Sequence, residues 1–241
     1  SLEAKNLPIP SGLTESRRQV CVNLVFSDEE VAQRFASLND QQKAVFDTVL
    51  SAVNSGRGGF FFLNASGGTG KSYLLNVLIA AICNASLRVC ATASSGIAST
   101  CLINGKTVHS AFNVPLNCDN STVCRINKQS GLAEEIRRIH CIIWDEATMQ
   151  SKNVLETLDR TFRDLRDRPN DLFGGITMLL SGDWKQIMPV VRNGVRASIV
   201  SSTIKRSFLW DFVEELTLTQ NMRVSGNDAA SVAFREFLLS V

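Results

Sequence analysis

The chain is most tightly constrained between Phe60 and Ile82, where an apolar run, a glycine-rich loop and an apolar helix follow one another without a break. Phe60-Phe61-Phe62-Leu63 is continuously apolar, as suits a parallel strand covered on both faces. Ala65-Ser66-Gly67-Gly68-Thr69-Gly70-Lys71-Ser72 comes next, and Tyr73 to Ile82 then reads as a helix. Strand, glycine-rich loop, Lys-Ser and helix in that order make a phosphate-binding loop. The glycines let backbone N–H groups turn inward around phosphate oxygens, and the helix N-terminus adds partial positive charge. Gly67, Gly68, Thr69 and Gly70 would form that cradle for ATP. Lys71 would reach the β- and γ-phosphates, and Ser72 would give its hydroxyl to Mg²⁺. The loop departs from the full pattern G-x-x-x-x-G-K-[ST] at its first position, where Ala65 stands for glycine. Alanine disfavours positive φ by roughly 1 kcal/mol or more. Binding is expected to survive if Ala65 is β-like.

The remaining chain alternates strand and helix around this unit. Asn39 or Asp40 can cap a helix with an apolar face of Ala44, Val45, Val49 and Val53. Strands are predicted at Leu87 to Thr92, Ile139 to Trp144, Ile176 to Ser181 and Leu216 to Leu218. Helices are predicted at about Gly96 to Leu102, Asn153 to Leu165 and Ile199 to Phe212. Such alternation argues for an α/β fold with a parallel sheet. Residues 1–37 read as an arm packed on the body. Residues 113 to about 138, rich in Asn, Asp and Pro at their start, read as a small inserted subdomain with short strands of its own.

Two further clusters end apolar strands. Ile142-Ile143-Trp144-Asp145-Glu146 places two carboxylates at the carboxyl edge of the sheet, where ligands bind in such folds. Beside the loop, Asp145 would hold the Mg²⁺ shell and Glu146 would orient or deprotonate the attacking water. By itself an Asp-Glu pair after a strand is more commonly a solvated helix cap. Leu179-Leu180-Ser181-Gly182-Asp183-Trp184-Lys185-Gln186 either reverses the chain or brings Gln186 to a γ-phosphate.

Composition narrows the setting only a little. Net charge is +2 over 241 residues, a balance that neither demands nor excludes a nucleic-acid partner. The seven cysteines are scattered and never spaced C-x-x-C, so free thiols and a reducing, intracellular setting are expected. No apolar run reaches the roughly 20 residues of a membrane span, so no membrane partner is expected. The chain does not begin with Met.

Taken together, these motifs resemble the PIF-type (petite integration frequency) helicases of the 5′-to-3′ branch of superfamily one, with particular similarity to those of plants and Helitron transposons. The resemblance runs from Leu38 to Arg223. Leu38-Asn39-Asp40-Gln41-Gln42 is similar to the family's Q motif, which implies Gln42 as a reader of the adenine edge. Thr92-Ala93-Ser94-Ser95-Gly96-Ile97-Ala98 and Gly105-Lys106-Thr107-Val108-His109-Ser110-Ala111-Phe112 resemble its DNA-gripping motifs. They make Ser94, Ser95, Gly96 and Thr107 backbone contacts, and Phe112 a base-stacking ring. His109 is expected to be structural or DNA-adjacent and not an acid or base. Asp145-Glu146-Ala147-Thr148-Met149 stands where the family has Asp-Glu-Ala-Pro-Met. Gly182 to Val190 stands where it has Gly-Asp-Phe-Arg-Gln-Ile-Leu-Pro-Val, which makes Gln186 a γ-phosphate sensor. Leu218-Thr219-Gln220-Asn221-Met222-Arg223 resembles motif four, whose arginine, Arg223, would stabilise charge on the transferring phosphoryl group.

The resemblance implies a RecA-like P-loop NTPase lobe over residues 38–223, a parallel sheet with helices on both faces. Residues 224–241 would begin the connection to a second RecA-like lobe. Arg125 and Lys128 of the insertion would meet a duplex junction. The implied function is ATP-dependent 5′-to-3′ DNA unwinding on single-stranded DNA, in the nucleus or mitochondrion of a eukaryote. Repair, recombination, telomere maintenance and transposition all fit. The alternative is a degenerate P-loop module that binds nucleotide without acting as a motor, and Ala65 is its main support.

Overall fold

In the computed structural model, which describes residues 19–186, 189–190 and 194–222, the strands are β1 (Gly59–Ala65), β2 (Val89–Ala93), β3 (Lys106–Thr107), β4 (Cys141–Asp145), β5 (Thr177–Gly182) and β6 (Glu214–Leu218). They form one six-stranded sheet in the order β3-β2-β4-β5-β1-β6. Every neighbouring pair runs parallel. Parallel strands need crossovers, and these lay helices over both faces. Side-chain alternation divides the core accordingly. Phe61, Leu63, Ile143 and Leu179 face one side with α2 (Asp40–Ser55) and α3 (Lys71–Asn84). Phe60, Phe62, Ile142, Trp144 and Leu180 face the other with α6 (Gly131–Arg137) and α7 (Lys152–Leu165). Both faces are buried, which is why these strands read as apolar runs rather than alternating ones.

Helix α2 starts where its cap is. The Asn39 side chain accepts from the Gln42 N–H at 2.9 Å while Gln42 Oε1 accepts from the Asn39 N–H at 3.0 Å. Gly56, in the left-handed region at φ 64°, ends it. Its buried face is Val45, Phe46, Val49 and Val53. Ala44, expected on that face, is exposed, and Phe46 joins Val45, Val49 and Val53 on it instead.

The sequence reading needs correction at four further points. The arm also contains a helix that the residue pattern does not predict, α1 (Asp28–Ala36), which buries no residue fully and packs on the core only through the partly buried Val31 and Phe35. Its signal was the Ser27–Glu30 capping box. The helix expected over Ile199 to Phe212 is broken into α8 (Arg196–Ser202) and the 3₁₀ turns Ile204–Arg206 and Phe208–Phe212. Residues 113–138 carry no strand, only turns and α6. Nor do they have a core of their own: Val114, Cys124, Ala133 and Ile136 join the core on the Trp144 face. Arg160 of α7 donates to the Thr122 carbonyl at 2.9 Å, and Asn153 to the Cys118 carbonyl at 2.9 Å, tying the segment down.

The fourth correction concerns Phe112, at the end of α5 (Val108–Phe112). Its side chain is wholly buried, edge-on to Phe162 with ring centroids 5.0 Å apart, and offers no face to a base. The arm, by contrast, does pack on the body from Gln19 onward: Val20 and Cys21 enter the core and the Val22 N–H donates to the Val89 carbonyl at 2.8 Å. All seven cysteines are free thiols. No helix among the described residues is long and apolar enough to cross a membrane. Phe112→Ala is expected to cost about 3–5 kcal/mol of unfolding free energy. Guanidinium denaturation reads this directly, and a loss under about 1 kcal/mol would contradict the buried placement.

Candidate nucleotide site at the carboxyl edge of the sheet

Strands β4, β5 and β1 are consecutive neighbours, and their register sets Trp144 opposite Leu180 and Asn64 opposite Gly182. Their carboxyl ends therefore lie level. The turns that follow them, distant in sequence, meet at one edge. Ala65 closes β1 opposite Leu218 and has no positive φ, so a methyl group is tolerated where the loop pattern has glycine. The sharp positions are instead Gly68 and Gly70, at φ 87° and 78°. Gly70 is the N-cap of α3 and makes no side-chain cap, so the first-turn amides keep their capacity for an anion.

At the centre, the Lys71 ammonium sits between two carboxylates. It donates to Asp145 Oδ1 and, at 2.7 Å, to Glu146 Oε1. Asp145 Oδ1 also accepts from the Ser181 hydroxyl at 2.7 Å and the Glu146 N–H at 2.9 Å. The Asp145 side chain is only 3% exposed, so an ionised carboxylate there requires these partners. Burial by itself would lower the Lys71 pKa, but Asp145 and Glu146 together outweigh it and hold the pKa above its ordinary value. The ammonium stays charged.

Glu146 adopts a left-handed backbone, φ 54° and ψ 36°, that is uncommon for a non-glycine residue and turns its side chain back toward the loop. Its Oε2 is buried and has no hydrogen-bond partner. An unmet buried acceptor costs about 1–3 kcal/mol. Here it is the capacity a base needs to receive a water proton. A cleft of about 370 Å³ opens at this point. Ser66, Gly67, Gly68, Gly70, Lys71 and Ser72 line one side, with Glu146 and Gln186 beside them.

The structure thus brings together Gly67, Gly68, Gly70, Lys71, Ser72, Glu146 and Gln186, with Asp145 immediately behind. Thr69 and Gln42 stand outside the cleft and hold the loop from beneath. Gln42 is 2% exposed, and its Nε2 donates to the Thr69 carbonyl at 3.0 Å. Each end of its amide makes one such bond, which leaves one N–H and one acceptor position for a further contact. Arg223 lies outside the described residues.

Sequence reasoning missed Ser181, Tyr73 and Met222. Ser181 had a signal: a polar residue closing a buried strand beside Asp145. Tyr73 and Met222 line the cleft, and nothing in their spacing marks them. The Met222 N–H donates to the Gly68 carbonyl at 2.8 Å, and Gln41 accepts from the Thr219 N–H at 3.0 Å, so the chain leaving β6 is fastened to both the loop and α2. Thr148, in place of the expected proline, packs under Gly182, where a Cβ would come within 2.9 Å of Thr148 Cγ2.

The candidate nucleic-acid residues fall into two groups. Strands β2 and β3 are neighbours, so the starts of α4 (Gly96–Thr100) and α5 share one edge. Ser95 and Thr107 cap these helices through their oxygens, accepting from Ala98 and Ser110, and each keeps an O–H to donate. Ser94 Oγ accepts from Trp144 Nε1 at 3.0 Å, and Gly96 is exposed. His109 is half-buried, and burial lowers its pKa, so it is neutral near pH 7 and adds no cation. Arg125 is exposed, whereas Lys128 pairs with Asp164 at 2.6 Å.

Removing Lys71 strands two carboxylates. Lys71→Ala is expected to destabilise the ligand-free chain by about 3–5 kcal/mol. Asp145, almost wholly buried, and the partly buried Glu146 then lose the cation that both contact. Guanidinium denaturation of the two chains tests this, and a loss under about 1 kcal/mol would refute it.

A sequence profile described as PIF1-like helicase matches residues 37–241. The ATP-dependent DNA helicase PIF1 of Trypanosoma brucei brucei is 32% identical over 186 residues, covering 73% of this chain and 18% of that protein. The ATP-dependent DNA helicase PIF1 of Xenopus laevis is 33% identical over 156 residues, 64% of this chain and 23% of that protein. The chain thus spans about a fifth of the length of these relatives. The crystal structure of Pif1 helicase from Candida albicans superposes with a TM-score of 0.69 at 28% identity, covering 84% of this chain and 43% of that one. Bacteroides Pif1, solved bound to ssDNA, shares the fold at a TM-score of 0.62 and 21% identity, over 83% of this chain and 46% of that one. The profile match over most of its length makes this chain a member of the PIF1-like helicase family.

Proposed function

We propose that this chain is the ATP-binding first lobe of a 5′-to-3′ DNA helicase. The observation that carries the reading is the meeting of Lys71 with Asp145 and Glu146 at a cleft of about 370 Å³ lined by the glycine-rich loop, with Glu146 Oε2 unpartnered. These groups fit MgATP. Gly67, Gly68 and Gly70 offer backbone amides, Lys71 a cation for the β- and γ-phosphates, and Ser72 and Asp145 the oxygens that Mg²⁺ takes alongside phosphate. One carboxylate with one hydroxyl suits that ion, which keeps several waters and needs no all-protein cage. Bound MgATP supplies the phosphoryl group and the charge that neutralises it.

The chain's own residues do the rest. Before nucleotide binds, Lys71 holds the negative charge of Asp145 and Glu146, so the site does not collapse or expel its carboxylates. Transfer of that ammonium to phosphate oxygens frees Glu146 to accept a proton from water. Ser181 keeps Asp145 fixed throughout, and Gln186 stands at the cleft to register the γ-phosphate. Arg223, following Met222 in the chain, is proposed to stabilise the transferring charge.

The relatives' names supply the substrate: DNA, unwound with ATP. Single-stranded DNA would lie across the edge bearing Ser94, Ser95, Gly96 and Thr107, gripped through its backbone and read without sequence preference. Arg125 and Lys128 remain candidates for the duplex junction. The second RecA-like lobe, moving against this one, would convert hydrolysis into translocation. The degenerate-module alternative loses its main support, since Ala65 sits at the end of β1 without strain.

Hydrolysis of ATP by the chain joined to the rest of its relatives' length, with and without single-stranded DNA, is the direct test. Strong stimulation by DNA is expected, with Glu146→Gln lowering kcat by about 10²–10⁴-fold while nucleotide binding is retained. Nucleotide binding without any DNA stimulation would overturn the motor reading.

A further inference from the structure

A second, open groove of about 710 Å³ lies away from the nucleotide cleft, lined by Lys152, Arg196 and Arg206 around Ala197, Val200 and Ser201. Its supports are firm. Lys152 opens α7, a helix with Leu155, Leu158 and Phe162 fully buried. Ser151, just before it, forms an antiparallel bridge with Thr203, which fixes the start of α7 against the end of α8. Ile204, fully buried, anchors the turn that carries Arg206.

The groove is cationic by design of its surroundings. Elsewhere, Lys128, Arg163, Arg168 and Lys205 each pair with an acid. None of those ion pairs involves Lys152, Arg196 or Arg206, and no acid lines the groove. Glu156, one turn along α7 from Lys152, is the natural i, i+4 partner. It is buried instead and accepts the Ser207 hydroxyl at 2.8 Å. Three like charges around a concavity raise the local positive potential and attract an anion.

The class of anion follows from shape and place. The groove is open and sets its three cations apart around Ala197 and Val200, so it suits a chain of spaced phosphates better than one compact phosphate. It also adjoins the proposed DNA edge: Gln150, two residues before Lys152, donates to the Ser94 carbonyl at 3.4 Å. We propose that Lys152, Arg196 and Arg206 extend the DNA track, holding the phosphodiester backbone of single-stranded DNA beyond Ser94 to Gly96. This rests on the motor-lobe reading and adds a binding element to it.

The test is equilibrium binding of the 241-residue chain to a fluorescent oligothymidylate over a range of salt concentrations. The chain is compared with a triple variant, Lys152→Gln, Arg196→Gln and Arg206→Gln, and with a charge-conserving triple, Lys152→Arg, Arg196→Lys and Arg206→Lys. Each phosphate contact on a single strand contributes about 0.7 to the slope of log K against log salt. Neutralising the groove should flatten that slope by about 2 and weaken low-salt binding by about tenfold or more. The charge-conserving triple should keep both, and fluorescent-ATP binding and the melting temperature should not move in either. If the chain binds DNA, and Ser95→Ala with Thr107→Ala weakens it, but the neutral triple keeps the full slope, the groove is off the track and the inference is overturned. An acidic protein segment would then be its occupant. If the unaltered chain binds no DNA at all, the motor-lobe reading and the inference fall together.

Discussion

A single ammonium group holds the nucleotide edge in order. Lys71 closes two carboxylates that the sheet forces together, because β4 ends in Asp145-Glu146 directly beside the strand ends that flank the loop. Without that ammonium, two neighbouring negative charges would face each other and repel. The lysine therefore has a structural duty before any ligand arrives. Ser181 and the Glu146 amide share the load at Asp145 Oδ1, while Glu146 Oε2 is buried without a protein partner.

Loop conformation depends on a second set of contacts from below. The capping box that starts α2 uses Gln42, and the same side chain reaches the Thr69 carbonyl. Helix start and loop shape are thus set by one residue. The close fit of Gln42 Nε2 to Gly70 also explains why that position carries no side chain, in addition to its positive φ. On the other side, Met222 and Asn221 press on Gly68. The loop is clamped between the beginning of α2 and the end of β6.

Much of this was legible in the residues themselves. The apolar run Phe60 to Leu63, the glycine pattern after it and the strand ending in Asp145-Glu146 give the parallel sheet and the nucleotide edge, because burial on both faces and phosphate chemistry each leave a dense local mark. What stayed hidden is what depends on packing between distant segments. Phe112 looks like an exposed aromatic in a DNA motif, yet only the fold shows Phe162 lying against it. Gln42 looks like a reader of base edges, and only the loop's position shows that its amide also holds the Thr69 carbonyl. Residues 113–138, polar and turn-rich, suggested a separate unit, but a few buried side chains and bonds to α7 attach them to the core. The groove of Lys152, Arg196 and Arg206 is invisible in sequence because its three cations come from segments joined by one antiparallel bridge.

The fastening of Met222 to Gly68 makes the phosphate loop mechanically continuous with whatever the chain does after β6. A hydrogen bond at 2.8 Å to a residue at φ 87° has little room to stretch before the loop itself must deform. Traction on the polypeptide beyond Met222 would arrive at the amides that face a phosphate, and a phosphate drawing those amides inward would pull on the same tether in return. Nucleotide occupancy and tension on the outgoing chain are in this sense two readings of one spring.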